Sequence, residues 1–253
     1  MLSSTVDITT PTGVANAYLS RPDEEPRPGV LFIMDAYGLR PAIEDLVDRI
    51  AADGYIVLAP NMFYRAGRSP VGPLPDLSDP EKRVSFFQSL RPLFAQLNPD
   101  AVASDGAAYL DFLAAAGAPG PVAITGYCMG ARVGWKIATT YPDRVAALAG
   151  FHGGGLATDA PESPHRSAGQ LKAECYFGFA DQDQSMTAAQ IAAFERALEE
   201  AGVSYRSEVY QGAPHGYTMS DTPAYREDAG ERHFRELKAL LERTMGSQAA
   251  VRG

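Results

Sequence analysis

The strongest chemical signal in the chain is the pentapeptide Gly126-Tyr127-Cys128-Met129-Gly130. It follows the apolar run PVAIT (121–125) and precedes a run with helical spacing (128–140), so the cysteine falls on a strand-to-helix turn. The pattern is the nucleophile elbow G-x-S-x-G with sulfur in place of oxygen. A nucleophile on so tight a turn sits in a strained conformation, and side chains two residues to either side would collide with the turn. The helix start beneath it favours a thiolate and a developing oxyanion. With two Cys and 24 Gly in 253 residues, chance yields roughly 0.02 matches to G-x-C-x-G, so the pattern is read as a catalytic device.

A free thiol titrates near about 8.5 and needs a base or a positive field to act at neutral pH. Of the four histidines, His215 in APHGY lies between a strand ending at Tyr210 and the last helix. There the order nucleophile, acid, histidine puts the base. His152 in FHGGG also follows a strand and is expected to line the site from a neighbouring loop. His165, in a polar loop, and His233, on the terminal helix, are expected to face solvent. The segment GFADQDQSM offers Asp181 and Asp183 as the acid that holds the imidazole tautomer, and spacing leaves both open. Tyr37, Phe63, Tyr64 and Trp135 lie near these motifs as candidate walls of an apolar pocket.

These groups need a scaffold, and the chain alternates strand-like and helix-like runs throughout. TVDITTPTGVANAYL reads as a hairpin turning at Pro11 to Gly13. VLFIM (30–34), IVLAP (56–60), PVAIT (121–125), VAALAGF (145–151), AECYFGF (173–179) and SYRSEVY (204–210) read as further strands. Helices are expected over 42–54, from Asp79-Pro80 onward, over 100–116, 128–140 and 187–202, and over 223–245. Such alternation implies an α/β fold, a mostly parallel central sheet with helices on both faces. One domain is expected over 1–245, with a flexible tail at 246–253. The proline-rich stretch 60–80 is read as a long irregular loop and a candidate lid.

Composition narrows the classes. A net charge of −9 argues against nucleic acid as a partner, which calls for a basic face. No stretch approaches 18 apolar residues, so no membrane span is expected, and MLSSTVDITT does not read as a signal peptide. Two cysteines fit a reduced, cytoplasmic setting. Neither H-E-x-x-H nor paired Cys/His spacing is present, so no metal and no cofactor are expected.

With these residues in hand, the chain resembles the dienelactone hydrolase family over about 28–245. The likeness rests on GYCMGAR around Cys128, the Asp before a helix at 183, PHGY at 214–217, and MDAYGLRP (34–41). The resemblance implies an α/β-hydrolase fold and a Cys128–Asp183–His215 triad, and it favours Asp183 over Asp181. It also places Asp35, where the family usually has Glu, as an acid near the resting thiol. The backbone N–H groups of Met129 and Ala36 would form the oxyanion hole. Four residues after the histidine, the family's substrate-binding Arg is replaced by Met219. That departure turns the expectation from a carboxylated dienelactone toward an apolar ester, lactone or thioester. Tyr37, Tyr64, His152 and Met219 are the expected pocket residues.

The leading expectation is therefore a cofactor-independent hydrolase of a small ester, lactone or thioester, working through a thioester on Cys128. The alternative is a non-catalytic, hydrolase-like binding or redox-sensing protein with a reactive Cys128.

Overall fold

The continuous apolar runs form the middle of one sheet. The computed structural model describes residues 1–250 apart from Pro73 and Leu77. Pro73 and Leu77 of the proline-rich stretch and residues 251–253 of the tail lie outside the described residues. Strands β1 (Leu2–Thr10), β2 (Gly13–Arg21), β3 (Gly29–Ile33), β4 (Ile56–Pro60), β5 (Val122–Tyr127), β6 (Val145–Phe151), β7 (Glu174–Gln182) and β8 (Tyr205–Pro214) make an eight-stranded sheet. Its order is β1-β2-β4-β3-β5-β6-β7-β8. The β1–β2 hairpin is antiparallel and joins β4 antiparallel, while β4 through β8 run parallel. Every residue of β3, β4 and β5 is buried, as expected of strands covered on both faces.

The helices are α1 (Pro41–Ala52), α2 (Pro80–Ser89), α3 (Arg91–Gln96), α4 (Pro99–Ala115), α5 (Met129–Thr140), α6 (Ala188–Glu200) and α7 (Glu227–Ala250). Two ion pairs, Arg49–Glu231 and Lys238–Asp53, join α1 to α7 in one layer. In the other, α5 packs on α4 and sends Trp135 to Phe194 of α6, with ring centroids 5.2 Å apart. Fully burying one such large apolar side chain is worth about 1.5–3 kcal/mol. The starts follow their caps. Asp79 accepts from the Glu81 and Lys82 N–H groups with Pro80 at the first helical position, and Thr187 forms a capping box with Gln190.

Four boundaries depart from expectation. The last helix begins at Glu227 rather than 223, because 222–226 is held in turns by Tyr225 N–H to Thr222 O and Arg226 N–H to Tyr217 O. It runs to Ala250, past the expected end at 245. Finally, β7 and β8 run on past 179 and 210 through an irregularity at Ala180/Gln182, so that Gln182 pairs with Pro214. That extension builds the site.

Candidate active site

Asp183 and His215 are the residues immediately after the paired ends Gln182 and Pro214. Strand register therefore brings them together across 32 residues of sequence. His215 Nδ1 lies 2.6 Å from Asp183 Oδ2. The other Asp183 oxygen accepts from the backbone N–H of Ser185 at 2.8 Å and its hydroxyl at 2.6 Å, which fixes the carboxylate's orientation. Asp181 is exposed and accepts from the Gly212 N–H at 2.9 Å. The sequence left two acids open; geometry pairs the histidine with Asp183.

Cys128 stands between β5 and α5 with φ 55° and ψ −116°, a left-handed conformation unusual for a residue with a side chain. Conformations of this kind cost about 1–3 kcal/mol and cluster at functional sites. The close approaches explain the two flanking glycines. A Cβ on Gly126 would lie 2.2 Å from Gly130 O, and a Cβ on Gly130 would lie 2.4 Å from Ile33 O. Both obstructing atoms are backbone, so neither can swing away. The Cys128 N–H is bonded to Phe151 O at 3.1 Å, tying the elbow to the neighbouring strand.

Because Nδ1 of His215 is bonded to Asp183, Nε2 is the ring nitrogen left for another partner, and Cys128 lies within electrostatic reach of the ring. Burial alone would lower the imidazolium's pKa. The hydrogen bond to Asp183, the neighbouring Cys128 and the Asp183 charge outweigh it and push His215 up to about 10. Burial likewise opposes ionisation of Asp183, yet the bonds from His215 and Ser185 hold its carboxyl below the usual range. Cys128 is half-buried, so a small electrophile can reach it.

Met129 is the first residue of α5, and its N–H belongs to the first turn, which has no intrahelical acceptor. Ala36 lies in a turn closed by Gly38 N–H to Asp35 O at 3.2 Å, just beyond β3. Tyr37 is half-buried, stacks with Phe86 and meets Phe87 of α2 at a tilt, 5.8 and 5.5 Å between centroids, and is pushed up to about 12, by burial first and then by Asp35 and Cys128. It remains a neutral phenol near the thiol.

Several expected positions are corrected. Asp35 is not left to meet the thiol: its oxygens accept from both terminal nitrogens of Arg40, at 2.7 and 3.1 Å, and from the Tyr37 N–H at 3.0 Å. Tyr64 is no pocket wall. It is buried, and its hydroxyl bonds Thr10, Thr12 and Asp105, stitching the 60–80 segment to the hairpin and α4. Met219, Phe63 and Trp135 are buried in the core. His152 has no exposed surface. It sits edge-on to His215 with centroids 5.2 Å apart, and Nε2 is bonded to the Thr218 hydroxyl at 2.8 Å. His233 does not face solvent either. It is fully buried, with Nδ1 2.6 Å from Gly230 O and Nε2 3.0 Å from the Tyr127 hydroxyl.

Sequence reasoning missed Arg40 and Asp221. Arg40 Nε donates to Asp221 Oδ2 at 2.6 Å, joining the 34–40 turn to the loop after His215. Among the described residues, no group of three or more His, Cys, Asp or Glu side chains is placed to hold a metal ion. No helix among them is long and apolar enough to cross a membrane.

Residues 15–245 match the family model described as the dienelactone hydrolase family. An Escherichia coli (strain K12) protein provisionally named a carboxymethylenebutenolidase is 27% identical over 242 residues, covering 92% of this chain and 84% of its own. A Bradyrhizobium protein provisionally named a 2-oxo-3-(5-oxofuran-2-ylidene)propanoate lactonase is 29% identical over 231 residues, covering 89% and 88%. Among solved structures, a provisional dienelactone hydrolase from Klebsiella pneumoniae superposes with a TM-score of 0.81 at 22% identity, covering 94% of this chain and 97% of that one. At that identity the superposition speaks for the fold, an α/β-hydrolase sheet.

Proposed function

The chain belongs to the dienelactone hydrolase family, hydrolases of esters or lactones, and from that premise we propose that it cleaves a small ester, lactone or thioester through a thioester on Cys128. The observation that carries this reading is Cys128 on a left-handed elbow, with His215, bonded to Asp183, within electrostatic reach of it. The Cys128 thiolate attacks the carbonyl carbon, and the carbonyl π pair moves onto oxygen. The N–H groups of Met129 and Ala36 receive that oxyanion, an interaction whose loss typically costs about 10²–10³ in turnover. As the tetrahedral species collapses, His215 donates its Nε2 proton to the departing alkoxide or thiolate. Neutral His215 then takes a proton from water, the hydroxide adds to the thioester, and collapse returns the Cys128 thiolate, the acid and an imidazolium. Asp183 holds the ring and its tautomer through both halves.

Met219 stands where the resembled family carries a substrate-binding arginine, so that position offers no cation to a substrate carboxylate. The Bradyrhizobium relative's lactonase name supports the same bond class. Steady-state hydrolysis of p-nitrophenyl acetate by wild type beside Cys128→Ala tests the reading. Turnover in wild type that disappears in the variant supports it. Equal turnover in both overturns the assigned nucleophile, and none in either turns attention to a redox-sensing thiol.

A further inference from the structure

Arg40 is 5% exposed, an unusual place for a guanidinium, and it is not partnered in the ordinary one-to-one way. Nε donates to Asp221 Oδ2 at 2.6 Å. Nη1 donates to Asp35 Oδ1 at 2.7 Å and to Gly38 O at 3.1 Å. Nη2 donates to Asp35 Oδ2 at 3.1 Å and to Asp221 Oδ1 at 3.0 Å. A guanidinium has five N–H donors, and all five are engaged. Its two carboxylate partners lie on different loops. Asp35 brackets the turn that holds Ala36, and Asp221 lies six residues beyond His215. The Arg40 carbonyl also accepts from the Ile43 and Glu44 N–H groups, so the clamp is rooted at the start of α1.

We propose that Arg40 is a positioning residue: clamped between Asp35 and Asp221, it fixes the Ala36 turn relative to the loop carrying His215, and it takes no part in binding a substrate anion. This rests on the ester-hydrolase reading of the same site. One loop offers a donor for the oxyanion and the other supplies the proton shuttle, so the distance between them must be held while the carbonyl oxygen becomes charged. Misplacement by about 1 Å can cost about 10²-fold in rate. A bidentate fork facing two carboxylates sets distance and angle together, which a lysine ammonium cannot do. The second half of the proposal comes from donor saturation. A substrate carboxylate could bind Arg40 only by displacing a partner already there.

The test compares wild type with Arg40→Gln, Arg40→Lys and Asp221→Asn. Asp221 has a side chain 31% exposed, so its variant keeps the fold readable if the Arg40 variants unfold. Hydrogen exchange is followed in peptides covering 34–41 and 215–223, and kcat and KM are measured with p-nitrophenyl acetate and with the anionic mono-p-nitrophenyl succinate. Expected are faster exchange in both loops together and a kcat lowered about 10²-fold in Arg40→Gln. KM should change little, the loss should be the same for both esters, Arg40→Lys should fail to rescue, and Asp221→Asn should fall between. Unchanged exchange, full kcat despite loosened loops, or a KM rise confined to the anionic ester each overturns the proposal. If wild type shows no Cys128-dependent hydrolysis, the ester-hydrolase reading fails, and the exchange measurement still decides whether Arg40 couples the loops.

Discussion

Replacing Asp183 by Asn keeps the side chain's size and removes its charge, and the surrounding bonds dictate the consequence. One Asp183 oxygen accepts two donors from Ser185, and the other accepts from His215. An asparagine has a single oxygen. If that oxygen stays with the Ser185 backbone N–H and hydroxyl, the amide nitrogen turns toward His215 Nδ1, donor against donor. The imidazole must then carry its proton on the nitrogen that faces Cys128, the wrong tautomer for a base. A charge-assisted hydrogen bond contributes about 1.5–3 kcal/mol, equivalent to roughly 10- to 150-fold. Tautomer reversal in a serine triad costs about 10⁴, which sets an upper bound for a thiol that depends less on its base. The His215 pKa must also fall from about 10, because burial pulls it down and its main counterweight is gone. The assay is kcat/KM for p-nitrophenyl acetate, with the pH profile of iodoacetamide alkylation at Cys128. Asp181→Asn is the control. It disturbs one exposed acceptor of the Gly212 N–H and is expected to leave kcat/KM close to wild type. Equal losses in the two variants, or a larger loss at Asp181, would refute the assignment.

Gly126→Ala puts a Cβ 2.2 Å from Gly130 O, so it should destabilise by about 1–3 kcal/mol or more and abolish turnover. A thermal midpoint equal to wild type would show that the elbow is looser than this. His233 is fully buried, and burial lowers it to about 3, so the unfolded chain binds its proton first as pH drops below about 6.5. Stability should therefore fall by about 1.5 kcal/mol from this group between pH 6.5 and 5, and His233→Gln should flatten that acid limb in urea melts; identical slopes contradict it. Cys175 is 1% exposed and burial pushes its thiol up, so iodoacetamide should label Cys128 in the native protein and leave Cys175 unlabelled. Comparable labelling of both would place Cys175 elsewhere.

The sheet's centre was legible because β3 to β6 are uninterrupted apolar runs, which only a doubly covered strand tolerates. The nucleophile and base were legible because the turn beneath Cys128 demands glycine at two positions and because the histidine comes after a strand. Asp183 could not be separated from Asp181 by spacing. The choice depends on an irregularity at Ala180/Gln182 that sets which residue emerges beside His215. Arg40 and Asp221 lie 181 residues apart, and no local pattern links them. His233 was misread from its place on the terminal helix, although it shares a helical face with buried Ala229, Leu237 and Leu240, a period that marks the core side. Tyr64 went astray for a related reason. An aromatic ring close in sequence to a motif can have its polar atom spent inside, as the Thr10, Thr12 and Asp105 bonds show.

The central claim is that acyl transfer passes through Cys128. Mixing the protein with p-nitrophenyl acetate, quenching in acid within the first turnovers and sequencing the labelled peptides by mass spectrometry tests it directly. The account requires one acetyl group on the Cys128 peptide of wild type and none in Cys128→Ala. Steady turnover with no acetyl group on Cys128, or with the label on another residue, would contradict it.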